Sequence, residues 1–168
     1  MPKQRSSCCA LEVAPSERLI PLTKGIVARV DADDYDRVAQ FRWHASRQGY
    51  AVRALPGRKK QIMHRMLLDA PEGVLVDHIN GDKADNRRCN LRLCTTQQNG
   101  QNRHRVSGSS RFKGVSWDRG KWRATICVGQ RQRSLGRYPT EIEAAAAYDR
   151  ASRELFGQYA RPNFPVLP

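Results

Sequence analysis

Between Val76 and Asn99 the run VDHINGDKADNRRCNLRLCTTQQN gathers the residue types that phosphodiester hydrolysis requires. A carboxylate such as Asp77 can hold a hard divalent cation, and an imidazole such as His78 can take a proton from water. The Asp-His pair closes a short apolar strand, Val74 to Val76, and a loop rich in Asn, Asp and Gly follows. A second apolar beat comes at Leu91 and Leu93, then a polar helical start at Thr95 or Thr96 that carries Asn99. Neighbours on a strand point to opposite faces, so Asp77 and His78 can share a site only if the strand ends or bulges there. The Asn80-Gly81 step is the turn signal expected at such an ending.

This run resembles the active site of the HNH nucleases, the ββα-metal fold, in the phage and intron form that places Asn at the third motif position. The resemblance implies that Asp77 is a metal ligand, His78 the general base, Asn90 the residue that orients His78, and Asn99 the second protein ligand. The ion it implies is Mg2+ or Mn2+. The intervals agree with that family: twelve residues from His78 to Asn90 and nine more to Asn99. His104 is the other candidate for the third position. It lies five residues beyond Asn99, and on a continuous helix it would be rotated well away from the Asn99 face.

The charge of the chain points to the same kind of substrate. Its 168 residues carry 30 Lys plus Arg against 16 Asp plus Glu, a net charge of +14, which favours a polyanion. Residues 100 to 137 hold ten of the basic side chains with only Asp118 to oppose them, so the densest positive field follows the candidate site. Neither a long apolar run nor a basic amphipathic helix is present, which argues against a membrane partner. The five cysteines, at 8, 9, 89, 94 and 127, have neither disulfide-framework nor zinc-knuckle spacing. Cys89 and Cys94 are expected as core thiols in a reducing cytoplasm, since residues 1–17 lack the apolar stretch of a signal peptide.

The elements that must position the site begin after residues 1–17, which read as a disordered tail. IPLTKGIVARV reads as a hairpin turning at Lys24 and Gly25, and DADDYDRVAQF as a helix capped by Asp33 with Tyr35 and Val38 inward. A second hairpin, Trp43–Leu55 with Lys59–Met66, turns at Pro56 and Gly57 and carries the basic cluster Arg58, Lys59 and Lys60. MHRMLLDAPEG gives a short helix in which His64 is expected to brace the fold rather than touch the scissile phosphate. Residues 18–100 thus form the nuclease domain. A Gly-, Ser- and Asn-rich stretch reaching to residue 110 reads as a linker, assigned to 101–110, along which Asn102, Arg103, His104 and Arg105 could follow a groove.

The remaining sequence changes pattern. Phe112–Trp117, Lys121–Val128 and Gln132–Tyr138, separated by short turns, read as a three-stranded antiparallel meander. Thr140 with Glu143 forms a capping box, and the helix it opens runs to Gly157. Trp122, Ala124 and Ile126 are expected under that helix, with Arg123, Thr125 and Cys127 on the other face. FKGV, GKW, SLG, EAAAAYDRA and NFP together resemble the Apetala-two, or ethylene-response-factor, DNA-binding domain over residues 111–165. That resemblance implies a sheet entering the major groove. The candidate contacts are Lys113, Trp117, Arg119, Lys121, Arg123, Arg131 and Arg133. Ser116 and Ser134 stand where the plant domains commonly have Arg and Trp, so the plant target site does not transfer.

The expected protein is therefore an α+β chain: a ββα-metal nuclease domain followed by a three-stranded antiparallel sheet packed on one helix. It is expected to be a monomeric, metal-dependent DNA endonuclease of phage or mobile-element homing type, acting on double-stranded DNA with no small-molecule cofactor. A DNA-binding regulator with a degenerate nuclease scaffold and a structured-RNA binder are the rival readings. If the modules are merely tethered, a fragment ending near Arg105 should still cleave at high concentration.

Overall fold

The structure, a computed structural model, describes residues 17–103 and 108–164. The tail expected over residues 1–17 lies outside them except for Glu17, which opens the first strand, and His104 and Arg105 lie outside as well. The architecture is α+β, and the described residues include no helix long and apolar enough to cross a membrane. By packing, the chain divides into two compact units, Met1–Asp69 with Lys83–Leu91, and Ala70–Asp82 with Arg92–Pro168.

In the first unit the expected hairpin forms from β1 (Glu17–Pro21) and β2 (Val27–Asp31), with a 3-10 turn at Thr23–Gly25. Helix α1 (Ala32–Ala39) follows, capped by Asp31 rather than Asp33. The Asp31 carboxylate accepts no hydrogen bond from its own helix. It accepts one from the backbone N–H of Arg88 at 2.7 Å, so a tertiary contact has taken the capping group. The expected second hairpin is a three-stranded sheet of β3 (His44–Ala45), β4 (Ala51–Ala54) and β5 (Lys60–Ile62). A turn at Ser46–Tyr50 interrupts the long first strand of the expected pair. The second strand stops at Ile62 because α2 (Met63–Leu67) begins there, burying Met63, His64 and Leu67. His64 meets the edge of the Tyr50 ring at 5.3 Å between ring centroids.

Residues 83–90, the second half of the Asn- and Asp-rich loop, belong to this unit together with Leu91, the first residue of the strand that follows. Arg88 makes a two-pronged ion pair with the buried Asp34 at 2.6 and 2.8 Å. Asp85, fully buried, accepts from Arg87 Nε and Nη2, and the backbones of Arg29, Ala84 and Asn86 exchange hydrogen bonds. A hydrogen-bonded Arg lowers the pKa of Asp85 despite the opposing effect of burial. Cys89, expected in the core, is exposed because it lies in the 3-10 turn Arg88–Asn90, whereas Cys94 is buried as expected.

The second unit contains β6 (Leu75–His78) paired with β7 (Leu91–Cys94), then α3 (Thr96–Asn102). Helix α3 is capped by Thr95 in a capping box with Gln98. It extends two residues into the stretch assigned to the linker. The expected meander then forms from β8 (Val115–Asp118), β9 (Lys121–Val128) and β10 (Arg131–Tyr138), in the order β10-β9-β8. Helix α4 (Glu141–Phe156) starts on the Thr140–Glu143 capping box and ends at Gly157. Val115 and Ala124 pack with Ala144, Ala145 and Ala147, while Ile126 packs with Tyr148 and Phe156. Alanine on the inner face lets the helix backbone approach the sheet closely, and the larger side chains fill the ends.

Two motif residues have structural explanations. A Cβ on Gly114, where φ is +77°, would fall 2.1 Å from the Tyr148 ring and 2.6 Å from the Thr125 carbonyl oxygen, so only glycine fits. Asp149 of the YDRA segment is buried, and it accepts from the backbone N–H groups of Asn163 and Phe164 at 2.7 and 2.9 Å. Asn163 in turn bonds both backbone groups of Lys113, closing the chain end onto the start of the sheet.

Candidate active site and nucleic-acid interface

Strand β6 runs through both members of the Asp-His pair and does not end before them. Asp77 is 6% exposed and His78 4% exposed, so both faces of the strand are covered at this point. The Asp77 carboxylate is held from two sides. Asn102 Nδ2 lies 3.0 Å from each carboxylate oxygen and donates also to the His78 carbonyl at 2.9 Å. Arg92 donates to Oδ2 from Nε at 2.9 Å and from Nη2 at 2.6 Å.

Asn102 corrects one expectation directly. Read as a linker residue available to a groove, it is 4% exposed on α3 and ties Asp77 to the backbone of His78. Asn99 lies three residues earlier on the same helix, half-buried, so the two share a helical face. That spacing was the available signal for Asn102, once the helix was carried past Asn99. Arg92 was also missed. Its signal was an Arg in a short apolar strand opposite a strand that ends in Asp, since opposite charges on paired strands attract. Asn90 is buried in the first unit, where its Nδ2 donates to the Asp85 carbonyl at 2.8 Å.

Among the described residues no three His, Cys, Asp or Glu side chains cluster as a metal site. A site built on one carboxylate and neutral amide oxygens is of another kind, weaker without its substrate. The hydrogen bonds on Asp77 fit that use. A carboxylate has about four lone-pair positions; Oδ2 accepts three N–H groups, whereas Oδ1 accepts only that of Asn102. One oxygen is thus committed to the protein, and the other keeps capacity for a cation.

The sheet of the second unit sorts the candidate DNA contacts by register. Directly opposed residues share a face. Arg123 opposes Ser116 and Arg137, Lys121 opposes Asp118, and Thr125 and Cys127 oppose Ser134 and Gln132. These form the face turned from α4. Arg131 opposes Val128 and Arg133 opposes the buried Ile126, so both belong by register to the helix side and are exposed at the sheet margin. Trp117 opposes Trp122 and stacks edge-on against it at 5.0 Å while remaining 50% exposed. Arg119 sits exposed in the β8–β9 turn with φ +50°. Arg137, which the sequence reading did not select, joins the open face and pairs with Asp118 at 2.7 Å.

Lys113 leaves the expected set for a physical reason. Its Nζ donates to the Gln101 carbonyl at the end of α3 and lies 5.8 Å from the centroid of the Tyr148 ring. Burial pushes its ammonium down to about 8, and the Arg161 charge adds to that effect against the pull of Asp149. An ammonium turned inward in this way is not presented to a phosphate. It lines a cavity of about 280 Å³ between α3 and the sheet, with Gln101, Cys127, Tyr148 and Phe156 among the walls.

Two family models match stretches of this chain. Residues 69–101 match the family model described as HNH endonuclease, and residues 110–158 match that of the AP2 domain. An uncharacterized HNH endonuclease, L560, of Acanthamoeba polyphaga mimivirus is 32% identical over 145 residues, covering 83% of this chain and 76% of its own. Protein 3.8 of Escherichia phage T7 is 34% identical over 109 residues, 63% of this chain and 89% of its own. Dehydration-responsive element-binding protein 2A of Oryza sativa subsp. indica is 51% identical over 58 residues, 32% of this chain and 20% of its own length. No solved structure matches.

Proposed function

We propose, for a chain that belongs to the HNH endonuclease family and carries an AP2 domain behind its nuclease residues, that it is a metal-dependent endonuclease of phage or mobile-element homing type. The observation that carries the reading is the buried Asp77 carboxylate next to His78 at the end of β6, tied by Asn102 to the His78 backbone carbonyl. His78 acts as the general base, taking a proton from the water that attacks phosphorus in line. Asn90 is assigned the orienting of that imidazole on the strength of the motif alone. Asn102 and Arg92 fix the Asp77 carboxylate, and Asp77 with Asn99 supplies the oxygen ligands for Mg2+ or Mn2+. When bound, such an ion neutralises charge on the phosphate and the leaving oxygen.

Incubation of supercoiled plasmid with the full chain and Mg2+ should yield nicked or linear DNA, and a chelator should stop it. Asp77→Ala should eliminate the metal-dependent cleavage. Asn99→Asp should retain part of it, because a carboxylate is also a hard oxygen ligand. Full activity in Asn99→Ala would remove that residue as a ligand. A chain that binds plasmid and leaves it intact under every divalent cation would instead be the DNA-binding regulator.

The open face of the sheet is assigned the binding role. Each phosphate contact contributes about 0.9 to the slope of log affinity against log salt. Replacing Lys121, Arg123 and Arg137 together with Ala should therefore flatten that slope by roughly two to three units. Lys113→Ala should leave it unchanged. A slope that falls with Lys113 and not with the three open-face residues would place the DNA elsewhere, first at Arg58, Lys59 and Lys60, all exposed in the β4–β5 connection.

A further inference from the structure

Arg92 stands where the candidate site meets the segment that follows α4. Two of its nitrogens hold Asp77 Oδ2, the third, Nη1, donates to the Gln158 carbonyl, and the guanidinium carbon lies 4.4 Å from the centroid of the Tyr159 ring. The Arg92 side chain is 12% exposed. Tyr159 is fixed in its turn, because its hydroxyl donates to the carbonyl of Leu93 at 3.3 Å. Arg161 Nη2 donates to the Asn80 carbonyl at 3.3 Å, and its guanidinium covers Gly81, where a Cβ would strike Nη1 at 2.2 Å. The short stretch Gln158–Arg161 therefore grips both β7 and the turn that leaves His78.

A guanidinium is planar and carries five N–H donors in a fixed fork. With one edge on Asp77, another on a backbone carbonyl and its face on an aromatic ring, Arg92 has no alternative pose that keeps all three contacts. The carboxylate it holds is therefore fixed in rotation: Oδ2 is committed and Oδ1 is presented.

We propose that Arg92 is the positioning residue for Asp77, and that Gln158 and Tyr159, in the tail of the DNA-binding module, hold Arg92 in place, so that the module completes the catalytic site. The proposal deepens the nuclease reading and rests on it for the role of Asp77. The tail does not act by binding DNA. It acts through the orientation of one carboxylate.

The test uses the full chain with Tyr159→Ala, Tyr159→Phe, Arg92→Lys and the double variant Arg92→Lys with Tyr159→Ala. Arg92→Lys keeps the charge and loses the fork, so it does not strand a buried carboxylate without a cation. Three quantities are measured: single-turnover cleavage at saturating enzyme and Mg2+, DNA affinity in chelator, and the side-chain amide resonance of Asn102. Tyr159→Ala and Arg92→Lys should each slow cleavage by about tenfold to a hundredfold, the range expected for a displacement approaching an ångström. The double variant should be no slower than the worse single, since both act through one contact. Tyr159→Phe keeps the ring over Arg92 and loses the hydroxyl's bond to Leu93, so its rate should fall between those of the parent and of Tyr159→Ala. DNA affinity should stay within about twofold of the parent, and the Asn102 amide signal should shift in both slow variants. Multiplicative losses in the double variant, full rate in Tyr159→Ala, or an unmoved Asn102 signal in a chain that cleaves would each overturn the positioning role. A parent chain that never nicks plasmid would overturn the nuclease reading instead.

Discussion

His78→Ala should lower cleavage by at least about a hundredfold, the usual consequence of losing a general base, and leave DNA binding intact. The expectation follows from the position of the residue. His78 is buried beside Asp77, and the basic residues of the sheet's open face lie on other strands of the second unit. Affinity and chemistry should therefore separate in this variant. The pair of measurements is a nicking time course at saturating enzyme and a binding isotherm in chelator. Near-parental cleavage would take His78 out of the mechanism, and a parallel loss of binding would mean that the variant had not folded.

Removing everything beyond residue 105 should abolish cleavage even at high enzyme concentration and low salt. From the sequence alone such a fragment is expected to cleave, since a Gly-, Ser- and Asn-rich stretch separates two recognisable families. The packing says otherwise. Strand β6, most of β7 and helix α3 share a compact unit with the three-stranded sheet and α4. Truncation strips Arg92 of Gln158 and Tyr159, and exposes the surfaces that Tyr159, Arg161 and Lys113 cover. Without those anchors Arg92 no longer fixes the Asp77 carboxylate, and a misplacement approaching an ångström at the site costs roughly a hundredfold in rate. The fragment should also melt well below the full chain. Robust cleavage by it would restore the picture of two independent modules.

The sequence made the local elements legible wherever a short-range rule governed them. Thr140 and Glu143, or the Lys24-Gly25 turn, could be read because capping boxes and tight turns are set by neighbours in the chain. Asp31 stands at the N-cap position expected of Asp33, yet its carboxylate makes no capping bond, because Arg88, far along the sequence, claims it. No local pattern carries that information. In the candidate site the motif spacing singled out Asp77, His78, Asn90 and Asn99 as candidates through their resemblance to the HNH intervals. Arg92 and Asn102 became visible only with the pairing of β6 and β7 and the full length of α3. Lys113 shows the converse: its type and place suggested a phosphate contact, and its surroundings turned it inward.

The clamp of Asp149 on Asn163, and the glycine beneath Tyr148, have a bearing on how this protein changes over evolutionary time. Residues that make the sheet module recognisable are the ones that close its scaffold, so they are constrained whatever DNA it meets. The open face is populated differently. Ser116, Thr125, Gln132 and Ser134 are small or neutral there, and none of them is buried. Exchanging them removes no core contact, and surface substitutions of this kind usually shift stability by less than about 0.5 kcal/mol. The face can therefore change at these four positions without disturbing the scaffold that carries it. The same separation makes those positions the natural library for redirecting it by design.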